Sequence, residues 1–283
     1  MNFRRIYKTY FCNIFFILFY PPSEKVTVLA NHLEVVFQPN EISTDIQPII
    51  TQTAGPAIKP ITPQEIRIIF RKLKPHKAPD LDQITAKIIT ECPRKVVVFL
   101  TYILNASIRL RYFPHEWKLA KVIVIPKPGK PLEIPSSYRP ISLLPTLSKI
   151  YEKLLQARLL KLVDSLGIIP THQFGFRAKH STVKQIHRVV STIRNSLEAK
   201  QFCSTVYLNV KQAFDRVWTQ GLLHKISEYL PISVVQLLQS FLTGRRFQVH
   251  YGTAVSEVKP VLAGVPQGSV LGLLLYVLSS IGR

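Results

Sequence analysis

Apolar positions recur along the chain with two periods, one of helices and one of strands, and the changes between them mark the elements. Thr62-Pro63-Gln64-Glu65 has the form of a helix start, a Thr cap answered by Glu three residues on with Pro at the first helical position. Ile66, Ile69, Phe70 and Leu73 follow on one face, which predicts a helix over 63–73. A second helix is predicted over 93–111 with Val96, Val97, Leu100, Ile103 and Leu104 inward, and a long one over 147–164 stopped by Gly167. Thr182 with Gln185 reads as another capping box, opening a helix whose inner face is Ile186, Val189, Val190, Ile193 and Leu197. Short helices are predicted over 26–37, followed by a linker, and over 234–242.

Strand patterns lie between the helices. The Val- and Ile-rich run 120–125, bounded by Pro126, predicts a buried strand; the chain turns at Lys127-Pro128-Gly129-Lys130 and returns through 137–143. Phe247, Val249 and Tyr251 alternate, Gly252 turns the chain, and 255–262 pairs back as a hairpin. The pattern over 205–218 starts as an apolar strand, changes at Lys211 and continues through Leu222, Leu223, Ile226 and Leu230 at helical spacing. A strand end leading into a helix holds side chains at the rim of a sheet, so 205–218 is expected to be the element around which the rest is arranged.

A hydrophobic content of 47% excludes global disorder. The chain carries 37 Lys and Arg against 16 Asp and Glu, a formal charge of +21 spread along its length, which points to a polyanionic partner. Cys12, Cys92 and Cys203 form no CxxC pair and no metal-ligand spacing, so a reducing compartment and no structural zinc are expected. Arg4, Arg5 and Lys8 before the apolar run 10–20 outline a signal peptide. That run is shorter than the ~20 residues a spanning helix needs and ends at Pro21-Pro22, so no membrane association and a cytoplasmic or nuclear location are expected.

Four stretches carry candidate chemistry. The first runs from Phe113-Pro114-His115-Glu116-Trp117-Lys118 through Ile125-Pro126-Lys127-Pro128-Gly129-Lys130 to Ser137-Tyr138-Arg139-Pro140-Ile141-Ser142-Leu143-Leu144. The second is Gln173-Phe174-Gly175-Phe176-Arg177-Ala178-Lys179-His180-Ser181-Thr182. The third is Leu208-Asn209-Val210 with Ala213-Phe214-Asp215-Arg216-Val217-Trp218, and the fourth is Ala263-Gly264-Val265-Pro266-Gln267-Gly268-Ser269-Val270-Leu271-Gly272. In this order, from about 62 to 276, they resemble the reverse transcriptases of jockey-type non-LTR retrotransposons. The resemblance implies an α+β fold: the fingers and part of the palm of a right-hand polymerase, with an incomplete antiparallel palm sheet and helices. It divides the chain into an N-terminal apolar run, helix and linker (1–61), a fingers-type region (62–204) and a partial palm (205–283).

The resemblance also assigns roles. Lys127 and Arg139 match positions that grip the incoming triphosphate; read alone they are solvated loop cations. Phe214 matches the bulky residue that crowds a ribose 2′-hydroxyl, and Gln267 with Gly268 match the loop under the new base pair; read alone they are a core ring and a turn. By family the partners are an RNA template, a DNA primer and deoxynucleoside triphosphates, and the cofactor is Mg2+.

Several residues depart from the pattern. The family's metal-binding Asp is Asn209 here, a neutral amide in place of a carboxylate that hard cations prefer. Asp215 matches a second, non-catalytic acid expected to pair with a neighbouring cation. Leu273 stands where the family has Pro, and Asp80 and Gln83 where it has Gly. The family's Tyr or Phe-Ala-Asp-Asp motif is expected several tens of residues beyond Gly272, and 273–283 contains no acid. The thumb and an upstream endonuclease domain are likewise expected outside this sequence. These departures lead us to expect a domain without polymerase activity and without productive Mg2+ binding; a non-enzymatic basic RNA-binding module is the alternative.

Overall fold

The computed structural model describes residues 21–39, 58–75, 79–177 and 180–281. The apolar run 10–20, most of the linker before Ile58, and His76, Lys77 and Ala78 lie outside the described residues.

The first helix, α1 (Pro22–Val36), starts at a Pro pair, where a missing N–H costs nothing, and buries Val26, Leu29, Ala30, Leu33 and Val36 at helical spacing. Helix α2 (Pro63–Arg71) begins with the predicted capping box: Glu65 N–H donates to the Thr62 hydroxyl, and Thr62 N–H donates to the Glu65 carboxylate. Two more helices, α3 (Ala86–Thr90) and α4 (Arg94–Arg109), lead to Phe113 and strand β1 (Leu119–Pro126). β2 (Tyr138–Leu143) returns antiparallel to β1, setting Arg139 opposite Ile125. The long helix α5 (Thr146–Ser165) follows, then α6 (Thr182–Glu198), α7 (Thr219–Ser227) and α8 (Ile232–Leu242). The chain ends through β3 (Arg245–Tyr251), β4 (Ala254–Val255), β5 (Lys259–Val261) and α9 (Gly272–Ser280).

The sheet runs β2-β1-β3-β4, with β5 also on β3. The pairs β1–β2, β3–β4 and β3–β5 are antiparallel as expected, whereas the central pair β1–β3 is parallel, Leu119 with Arg246 through Ile123 with His250. Parallel strands need a long crossover, and here the 118 residues 127–244, which include β2 and four helices, supply it. Helix α1 covers one face: Leu29, Ala30 and Leu33 share a core with Ala120, Val122, Val124, Phe247 and Val249, and Phe37 meets Phe247 edge-on. A second, larger core joins α2, α4, α5, α7, α8 and α9. At its centre Phe113 stacks on Tyr151 at 5.5 Å and meets Phe241 and Trp117 edge-on.

Three expectations are corrected. The stretch 205–210 forms no strand: it is unpaired and exposed, with Leu208 at 89%. A strand pattern becomes a strand only when a neighbouring strand supplies ladder partners, and none among the described residues lies beside it. The helix over 182–198 exists, but nothing on it is buried: Ile186, Val190, Ile193 and Leu197 face solvent and Val189 is only half-buried. Its cap is Ser181, whose hydroxyl accepts from Lys184 N–H, and not Thr182, because Thr182 already lies inside the helix.

Candidate nucleotide and nucleic-acid site

The third and fourth motifs meet in one place. After β5 the chain passes α1, where Leu262 and Ala263 N–H donate to the Phe37 carbonyl, and enters the loop 264–271. Gly264 N–H donates to the Val217 carbonyl and Val265 N–H to the Phe214 carbonyl, both at 2.8 Å. Gly264 has φ +92°, and a Cβ there would lie 2.5 Å from the Asp215 carbonyl oxygen. Gly268 has φ +107°, and its Cβ would lie 2.4 Å from the Ser142 carbonyl oxygen. Both glycines are therefore required: the loop is pressed between the 214–217 backbone and β2. Ser142 N–H donates to the Gln267 carbonyl, closing the second side.

Inside this junction the Gln267 amide donates to Asp215 Oδ1 at 2.8 Å. The partner of Asp215 is thus a neutral amide and not the cation expected. Burial pushes the Asp215 carboxyl above the usual range; the bond from Gln267 and the charge of Lys127 pull against it. Lys127, on the β1–β2 turn, donates to the Ser136 carbonyl. Its charge, with that of Lys211, adds to burial in lowering the pKa of His32 on α1. Arg139 stands exposed on β2. Arg245, buried at the start of β3, lines the same cleft of about 400 Å³ as Asp215, Gln267 and Ser142. Burial brings its guanidinium down to about 10 while the Glu152 carboxylate pulls it up, and it lies over the Phe241 ring at 4.9 Å. A larger apolar cleft of about 1050 Å³ involves α5 and α8 and contains none of the motif residues.

Phe214 is half-buried, its ring 4.4 Å from that of Tyr276 on α9 and edge-on to Phe176 from the second motif. So Phe214, Gln267, Gly268 and Lys127 belong to one neighbourhood, whereas Asn209 lies in the exposed 205–210 stretch. Asn209 supplies one neutral oxygen, Asp215 is committed to Gln267, and no group of three or more His, Cys, Asp or Glu among the described residues could hold a metal.

The sequence reading missed Glu152, which is fully buried and binds the loop's far end. Its signal was available: Ser148, Glu152 and Gln156 lie four apart on α5 and make one polar stripe on a helix with Ile150, Leu154, Leu155 and Leu159 in the core.

The family profile described as reverse transcriptase (RNA-dependent DNA polymerase) matches residues 125–279, which hold this junction. The chain belongs to the reverse transcriptase family. It is 44% identical over 260 residues to the probable RNA-directed DNA polymerase from transposon X-element of Drosophila melanogaster, covering 89% of this chain and 29% of that protein. To the RNA-directed DNA polymerase from mobile element jockey of Drosophila funebris it is 42% identical over 262 residues, covering 89% and 28%. It thus spans less than a third of the length of these relatives. This reverse transcriptase domain, of the kind carried by non-LTR retrotransposons, has an α+β fold consistent with fingers and part of a palm. No described helix is long and apolar enough to cross a membrane.

Proposed function

We propose that this part of the protein grips an RNA template and its primer as a reverse transcriptase does but does not polymerise. The relatives' names attach RNA-directed DNA polymerase to proteins of this kind, and that activity, with deoxynucleoside triphosphates as substrates, is the ancestral one here. In this reading Lys127 and Arg139 meet phosphate, Phe214 lies beside the sugar, and the Gln267-Gly268 turn supports the base pair. A charge of +21 supplies the sequence-independent part of the grip. The observation that carries the loss of chemistry is Asn209, where an amide stands in the position of the metal-binding carboxylate. Two-metal nucleotidyl transfer needs anionic oxygens to hold both ions against the charge of the triphosphate, and one amide does not replace them.

The reading is tested by measuring binding of a labelled RNA–DNA primer-template and extension of its primer side by side. It expects binding without extension. Extension would overturn the loss of chemistry; no binding by folded protein at low salt would overturn the grip.

A further inference from the structure

We infer that Glu152 is the positioning residue of the 264–271 loop, holding Gln267 and Gly268 in place from below through the start of α9. The inference rests on reading that loop as part of the nucleic-acid site. Helix α9 has no cap of its own: the residue before it is Leu271, whose side chain accepts nothing. Three groups at this end instead turn to one carboxylate oxygen on α5. Glu152 Oε2 accepts from the Ser269 hydroxyl at 2.5 Å, Val270 N–H at 2.7 Å and Leu271 N–H at 3.2 Å. The Ser269 hydroxyl oxygen in turn accepts from Gly272 N–H at 3.1 Å.

The other oxygen, Oε1, accepts from the Ser148 hydroxyl one turn earlier, and Gln156 one turn later donates to the Val270 carbonyl. The three residues thus reach from one face of α5 to the segment 269–272. A carboxylate at 0% exposure is strongly destabilising unless its oxygens are satisfied. Glu152 meets that condition with four donors, the field of the α9 N-terminus and the charge of Arg245. Ordinary core packing would have put a Leu here. The loop therefore has anchors at both ends: Val217 and Phe214 carbonyls hold Gly264 and Val265, and Glu152 holds 269–271. Gln267 and Gly268 sit between, so their register on Asp215 and Ser142 depends on both anchors.

The test compares Glu152→Gln, Ser269→Ala and Ser148→Ala in the full chain by amide hydrogen exchange and by affinity for an RNA–DNA primer-template. Glu152→Gln retains size but replaces one acceptor oxygen with a donor. Ser148→Ala removes a bond to the same carboxylate while leaving the loop contacts, so it controls for general loosening of the core. Expected is an exchange rate at 266–272 raised at least about ten-fold in Glu152→Gln, with strands β1 and β3 unchanged. A several-fold loss of affinity should accompany it. Ser269→Ala, which acts from the loop side should Glu152→Gln not fold, gives the same pattern more weakly; Ser148→Ala gives neither effect. Exchange that rises equally over the whole molecule, or a freed loop with unchanged affinity, overturns the inference. Absence of binding by the unsubstituted chain instead overturns the nucleic-acid reading, and the exchange result still decides whether Glu152 anchors the loop.

Discussion

At the scale of single residues, two of the positions with left-handed backbone have opposite chemistry. Gly268, at φ +107°, abuts the Ser142 carbonyl, and Gln83, at φ +56°, carries a side chain in a backbone region that favours Gly. Gly268→Ala is expected to lose about 2 kcal/mol or more in urea unfolding, since backbone on backbone leaves nothing flexible to move. Gln83→Gly is expected to change stability by less than about 1 kcal/mol. Relief of the strained φ is offset by lost hydrogen bonding from the Gln83 amide to the Asp80 carbonyl and by a freer unfolded chain. Asp80 itself is buried with one unpaired carboxylate oxygen, and burial raises its pKa. Asp215 is raised by burial too. A carboxyl raised in the folded state binds more protons there than when unfolded, so stability falls as pH rises from about 4 through the folded value. Asp215→Asn retains an acceptor for Gln267 and removes the charge. Unfolding measured at pH 4 and at pH 7 should show the two proteins equal at the lower pH and the variant more stable at the higher.

At the scale of elements, α6 separates what periodicity tells from what it does not. The spacing of Ile186, Val190, Ile193 and Leu197 correctly gives a helix, yet the face is uncovered among the described residues. Ile186→Glu and Ile193→Glu are therefore expected to move the unfolding midpoint by less than about 0.5 kcal/mol each. Leu154→Ala, on the buried face of α5, is expected to cost about 2–5 kcal/mol. A large loss from the α6 substitutions would show that this face is covered in solution. Local signals were legible because they are made by neighbours in sequence: the Thr62–Glu65 box, Gly167 after α5, the Pro126 boundary of β1. Illegible were the contacts made across long separations. Nothing in 205–210 states that no strand will pair with it, and nothing near Leu119 states that it will pair in parallel with Arg246. The site divides in the same way. The motifs named Gln267, Gly268 and Phe214, but the bond from Gln267 to Asp215 and the reach of Glu152 across 117 residues needed the fold.

At the scale of the whole molecule, the excess of basic side chains governs how binding responds to salt. A formal charge of +21 predicts that RNA affinity falls at least about ten-fold between 50 and 200 mM salt, as neutralisation of about two phosphates already requires. Binding followed by fluorescence anisotropy checks this, and a flat salt dependence would mean that the excess Lys and Arg do not form the contact surface. The measurement that bears most directly on the central claim is primer extension on an RNA template, with protein above the concentration that saturates primer-template binding and with Mg2+ or Mn2+ supplied. With Asn209 at the position proposed for the metal-binding carboxylate, the account predicts no added nucleotides. Template-dependent incorporation by the unsubstituted chain would contradict it.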